Sequence, residues 1–170
     1  MHAAPGHDPH SIILFAPNLR LLVSADALWQ NGFGVVFPEL HGIDAFDEVS
    51  STLDLIERLN PSIIIPGHGE VFTELSPALA LARKKLDAFA KHPERHASYG
   101  VKVLLKFKLL EWGSISRVEF DKWALNVPYL SDLHHRFGHD YEKTEWIDMM
   151  LAELQRSGAM SVDDGVLYNA

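Results

Sequence analysis

Three side chains combine metal-ligand chemistry with a place at the end of an apolar run: His7, Asp26 and His68. His7 sits in Ala4-Pro5-Gly6-His7-Asp8, just ahead of the run Ser11–Phe15. Asp26 ends Ser24-Ala25-Asp26 after the run Leu19–Val23, and His68 tips Ile63-Ile64-Ile65-Pro66-Gly67-His68-Gly69. Imidazole and carboxylate are the donors that zinc, manganese or iron accepts in a nitrogen- and oxygen-rich site. A carboxylate can also bridge two cations about 3.5–4 Å apart, as in two-metal hydrolases. The plainer reading of each residue is a turn histidine bonded to backbone, or an Asp that caps a turn. His10, three residues after His7, reads as a supporting or structural residue. His41 lies in a loop where it could meet substrate or simply be solvated.

The elements that would position these groups follow from apolar periodicity. Ser11–Phe15 and Leu19–Val23 flank Pro17-Asn18 and read as a hairpin. Both are nearly continuous in apolar residues, so both faces are expected to be covered. Gln30 to Asp44, rich in glycine and aromatics, reads as a long loop of the kind that carries substrate contacts. Phe46, Val49, Leu53 and Ile56, with Leu59 extending the stripe, predict an amphipathic helix ended by Asn60-Pro61. Ser62–Ile65 then reads as a strand ending in the Pro-Gly-His-Gly turn. Ser76-Pro77 is expected to cap a helix that runs to about Lys91. Within it, Arg83-Lys84-Lys85 reads as a solvated basic face.

His92-Pro93 marks a break, and the domain boundary is placed there: residues 1–92 form one domain and residues 93–170 a second. The second is mainly helical. Helices are predicted from about Val101 to Trp112, over Ser114–Leu125, over Pro128–Phe137 and over Thr144–Ser157. Trp146, Met149, Met150 and Leu154 are expected to be its core. His134, His135 and His139 read as surface residues. An Asp163-Asp164-Gly165 turn closes a terminal hairpin, and helices followed by such a hairpin resemble a winged-helix module.

The order Pro5-Gly6-His7, Ser24-Ala25-Asp26, Pro66-Gly67-His68-Gly69 resembles the later metal motifs of the metallo-β-lactamase superfamily. Any one Pro-Gly-His is weak, whereas the three in this order, with a helix between the second and third, are specific together. The resemblance implies an α/β (α+β) fold, the second half of an αββα sandwich, and a metal-dependent hydrolase. It implies that His7 binds the first metal, that Asp26 bridges both and serves catalysis, and that His68 binds the second. Zinc is the implied cofactor, with iron or manganese as alternatives. Water activated by the metals would attack an ester, thioester or phosphoester.

The family's first motif, His-x-His-x-Asp-His, is found nowhere in these 170 residues. The chain therefore reads as the C-terminal part of such an enzyme, either with its recorded start internal to a longer gene or as a fragment of a longer protein. It is expected to need the missing N-terminal half of the fold, or a homo-oligomeric partner, for a full ligand set. On the same reading, the inner sheet face with Ile12, Leu14 and Leu22 lacks its cover. A non-catalytic fragment, or a binding or dimerisation module, is the competing reading.

Composition narrows the partners. With no cysteine, thiolate metal sites and a Cys nucleophile are excluded, and any ligands must come from the ten histidines and the acids. The net charge is -8, which argues against nucleic acid. Residues 95–170 alone carry 9 Lys/Arg against 11 Asp/Glu, a balance of -2. No apolar run approaches the roughly 18 residues that span a bilayer. A small-molecule substrate, no membrane and a cytoplasmic location are expected.

Overall fold

The computed structural model describes residues 1–170, which form two compact units, Met1–His96 and Ala97–Ala170. In the first unit, β1 (His2–Ala3), β2 (Ile12–Ala16), β3 (Leu21–Ala25) and β4 (Ile63–Pro66) make a sheet in the order β1-β2-β3-β4. The pairs β1·β2 and β2·β3 are antiparallel, and β3·β4 is parallel. A parallel pair needs a crossover, and here it contains α1 (Phe37–Leu40) and α2 (Phe46–Leu59). The hairpin between β2 and β3 turns through a 3-10 segment, Pro17–Leu19, with Arg20 in the left-handed region at φ 47°. The helix α3 (Leu75–Lys91) follows β4.

The sheet buries one face only. Ile13, Leu22 and Ile64 are fully buried, whereas Ile12 and Leu14 are 47% and 45% exposed. The expectation that both faces are covered is therefore corrected. An apolar run cannot by itself distinguish a strand covered on two faces from one covered on one. Leu22 is also corrected. It pairs with Phe15 and Ile64, which places it with the buried residues rather than with Ile12 and Leu14. The helix α2 buries Val49, Thr52, Leu53 and Ile56, close to the predicted stripe. Asn60, left-handed at φ 46°, ends that helix where expected.

Two helix starts differ from expectation. The helix α3 begins at Leu75 with Glu74 as N-cap, so Pro77 falls inside the first turn rather than at its first position. Proline is tolerated there because the first-turn amides have no intrahelical acceptor. The helix α4 (Pro93–Trp112) begins directly after the break at His92, eight residues ahead of Val101.

In the second unit Ser114–Ser116 is a strand, β5, not the start of a helix. The helices α5 (Arg117–Asn126), α6 (Pro128–Phe137) and α7 (Lys143–Arg156) follow. The strands β6 (Met160–Asp163) and β7 (Val166–Asn169) complete a sheet in the order β5-β7-β6. Asp164 and Gly165 both have positive φ, 43° and 72°, as a two-residue hairpin turn requires. Trp146, Met150 and Leu154 are buried as expected, but Met149 is exposed and Ile147 and Leu151 take its place in the core. No helix is long and apolar enough to cross a membrane.

Candidate metal centre

His7, Asp26 and His68 come together at one end of the β3·β4 pair. Each is delivered by a tight turn. Gly6 has φ +133°, and a Cβ there would stand 2.6 Å from Val49 Cγ2 of α2. Glycine alone lets the chain pass that helix and still present His7. Asp26 follows a register shift between Val23 and Ala25, and Ala25 is left-handed at φ 46°. A bulge of this kind re-aims the next side chain. Ser24, fully buried, pins the turn by donating its hydroxyl to the Leu28 carbonyl at 2.7 Å. Gly67 donates its amide to the Ala25 carbonyl at 2.8 Å, tying the turn that carries His68 to the turn that carries Asp26.

One carboxylate is shared between two imidazoles. Asp26 Oδ2 lies 3.4 Å from His7 Nε2, and Asp26 Oδ1 lies 3.7 Å from His68 Nε2. The side chains of His7 and Asp26 are about three-quarters covered, while His68 is 62% exposed. Two further contacts orient the donors. His7 Nδ1 is 2.5 Å from the Val35 carbonyl oxygen. A carbonyl can only accept, so Nδ1 carries the hydrogen of this contact, and Nε2 is the ring nitrogen presented to Asp26. Trp29 donates its indole hydrogen to Asp26 Oδ1 at 3.1 Å and meets the His68 ring edge-on at 5.1 Å.

The donor set fits divalent metal in kind. A neutral imidazole held by its far nitrogen is the usual metal-binding form of histidine. Two donors about 2.0–2.1 Å from a tetrahedral ion stand roughly 3.4 Å apart, close to the His7–Asp26 separation. The backbone leaves the room clear. A Cβ on Gly34 would sit 2.9 Å from both His7 Nδ1 and Asp26 Cβ, and one on Gly67 would sit 2.8 Å from Asp26 Oδ1. In number the set falls short. No group of three His, Asp or Glu side chains is arranged to hold one ion. Each imidazole with its carboxylate oxygen supplies two ligands, against the three protein ligands of a catalytic zinc site.

His10 stands exposed on a turn, its backbone amide bonded to Asp8 Oδ1 at 2.8 Å. His41 is exposed at the end of α1. The Gln30–Asp44 segment is largely buried rather than an open loop, with Phe33, Val35, Val36 and Leu40 all in the core. His134 is half-buried and bonded to the Tyr141 carbonyl at 2.8 Å, while His135 and His139 are exposed as expected.

The basic stretch on α3 is corrected in part. Arg83 bridges to Asp54 and Glu57 of α2, at 2.6 and 2.8 Å. Lys85 instead lies over the rings of Trp29, Phe33 and Phe89, 5.0–5.8 Å from their centroids, and donates to the Phe33 carbonyl at 2.9 Å. Burial lowers its pKa to about 8. His96 was also not legible as a site neighbour. It is 2% exposed, accepts the Val36 amide hydrogen at Nε2 over 3.1 Å, and packs against Phe46 and Phe89. Burial, and then the charge of Lys85, lower its pKa to about 4. The only sequence signal for either residue was the i, i+4 spacing of Lys85 and Phe89 on one helix face.

Comparison with known proteins bears on residues 1–68. No curated protein matches the chain. A solved structure, a metallo-beta-lactamase family protein from Thermus thermophilus, is similar at 16% identity and a TM-score of 0.40. The similarity covers 99% of this chain and 48% of that one, so the chain spans about half the length of the solved structure it matches. The sequence model of the metallo-beta-lactamase superfamily matches residues 1–68, a stretch that runs from ahead of His7 to His68 itself.

Proposed function

We propose that residues 1–96 carry one side of a two-metal hydrolase centre, in which His7 and His68 each hold one divalent ion and Asp26 is shared between them. The observation that carries this reading is the division of a single carboxylate between two imidazoles, at 3.4 and 3.7 Å. A bound divalent metal supplies Lewis-acid charge and makes water a nucleophile near neutral pH. The chain's own residues do the holding. Val35 fixes the tautomer of His7, Trp29 orients Asp26, and the glycines at 34 and 67 keep the space open. Zinc suits this nitrogen and oxygen set, with iron or manganese as alternatives. The remaining ligands come from another stretch of polypeptide: the N-terminal half of such a fold or a second copy of this chain. The substrate class is a small-molecule ester, thioester or phosphoester, and the compartment is the cytoplasm.

The second unit supports an accessory role. Its order of helix, strand, three helices and a terminal hairpin suits a winged-helix-like module, used for packing or dimerisation rather than for nucleic acid, given its charge balance of -3 (8 Lys/Arg minus 11 Asp/Glu over residues 97–170).

The test is hydrolysis of chromogenic carboxylic ester, thioester and phosphodiester substrates by the zinc-loaded chain, alone and with the complementary half of a superfamily domain supplied in trans. Turnover that EDTA abolishes and that Asp26→Ala removes supports the reading. Turnover indifferent to both contradicts it.

A further inference from the structure

His96 is a buried titratable group with no place in the metal centre as described, yet it grips the same peptide unit that His7 grips. The Val35 carbonyl accepts from His7 Nδ1 at 2.5 Å, and the Val36 amide donates to His96 Nε2 at 3.1 Å. That carbonyl and that amide are the two ends of one planar peptide group. The result is a continuous chain of hydrogen bonds: His7 Nδ1–H to O=C, then N–H to His96 Nε2.

We propose that His96 is a positioning residue for His7, acting through the Val35–Val36 peptide to hold the tautomer that leaves His7 Nε2 free for a metal.

Three observations carry this. First, the polarity is determined at every link. The peptide N–H can only donate, so His96 Nε2 must carry a lone pair. The peptide carbonyl can only accept, so His7 Nδ1 must carry a hydrogen. Hydrogen bonds in series through one amide strengthen one another in a low-dielectric interior. Second, the anchor is rigid. His96 is 2% exposed, with the rings of Phe46 and Phe89 edge-on at 5.4 and 5.0 Å. Burial holds it in the neutral form that can accept. Third, the segment it anchors forms a wall around His7. Gly34 stands against Nδ1, the Phe37 amide donates back to the His7 carbonyl at 3.2 Å, and the Phe37 ring meets the imidazole at 5.3 Å. A purely space-filling core residue at position 96 would need no acceptor. The Val36 amide would then lie buried and unsatisfied, and the peptide would be free to rotate away from His7.

The proposal rests on the metal reading of His7 for its functional meaning, and the experiment separates the two. The full chain is studied without metal at about pH 8, above the ordinary titration range of imidazole, by nitrogen-15 spectroscopy of the imidazoles. Zinc affinity is then measured on the same samples. The wild type should show His7 in one tautomer, hydrogen on Nδ1. His96→Phe, which keeps apolar volume and removes the acceptor, should show a mixture, with zinc binding weakened about tenfold. His96→Gln, whose amide oxygen can accept the Val36 hydrogen, should restore both. Should His96→Phe fail to fold, His96→Leu takes its place. An unchanged His7 tautomer in the apolar variant, or identical behaviour of the Gln and apolar variants, overturns the proposal. A wild type that binds no zinc overturns the metal reading, and the tautomer measurement still decides the role of His96.

Discussion

Trp29 donates its indole hydrogen to Asp26 Oδ1 across 3.1 Å, from three residues further along the same turn. That bond fixes the carboxylate so that its other oxygen faces His7. Groups that orient a metal ligand from outside usually matter about 10–100-fold in affinity. Trp29→Phe keeps an aromatic ring beside His68 and Lys85 and removes the donor. Zinc titration of this variant should give a dissociation constant about tenfold weaker, with the melting temperature nearly unchanged.

Gly34 makes the opposite kind of contribution, by what it leaves out. A Cβ there would come within 2.9 Å of Asp26 Cβ and of His7 Nδ1. Neither neighbour can retreat easily, since one is next to a pinned turn and the other is bonded to Val35. Gly34→Ala should therefore cost about 1–3 kcal/mol in a urea melt through overpacking. Zinc binding should be lost along with the His7–Asp26 geometry.

The burial of His96 makes the chain acid-sensitive in a defined window. Its folded pKa is about 4, lowered by burial and then by Lys85, against an ordinary value of 6.5. The unfolded chain therefore binds the proton first as pH falls. Stability contributed by the neutral ring is fully present above about pH 6.5 and is lost as pH drops toward 4. The full loss is on the order of 3 kcal/mol. Urea midpoints measured across this window should fall more steeply for wild type than for His96→Gln. Equal slopes would show that His96 does not titrate with folding.

Much of this was legible in the sequence because it depends on local rules. Each of the three turns bearing His7, Asp26 and His68 announces itself by glycine or by the end of an apolar run. The α2 stripe and the Asp164-Gly165 hairpin follow from period and turn chemistry. What could not be read depends on tertiary context. Ile12 and Ile13 are identical in type and adjacent, and only the sheet's packing decides that one is exposed and the other buried. Lys85 belongs to a run of three basic residues, yet it alone turns under Trp29 and Phe33 while Arg83 pairs with α2. The link from His96 to His7 spans 89 positions (96 minus 7) through a peptide group, and no spacing rule points to it. Ser114–Ser116 became a strand because β7 offers it a partner through the register Ser114↔Tyr168.

The most direct test of the shared-carboxylate centre is zinc binding by the full chain, followed by calorimetry, in the wild type and in Asp26→Ala. Binding in the wild type should be weak but measurable, because each ion has only two ligands from this chain, and it should be lost when the one shared carboxylate is removed. His68→Ala should remove one ion's worth of binding and leave the His7 part. Zinc binding of equal affinity and stoichiometry in wild type and Asp26→Ala would contradict it.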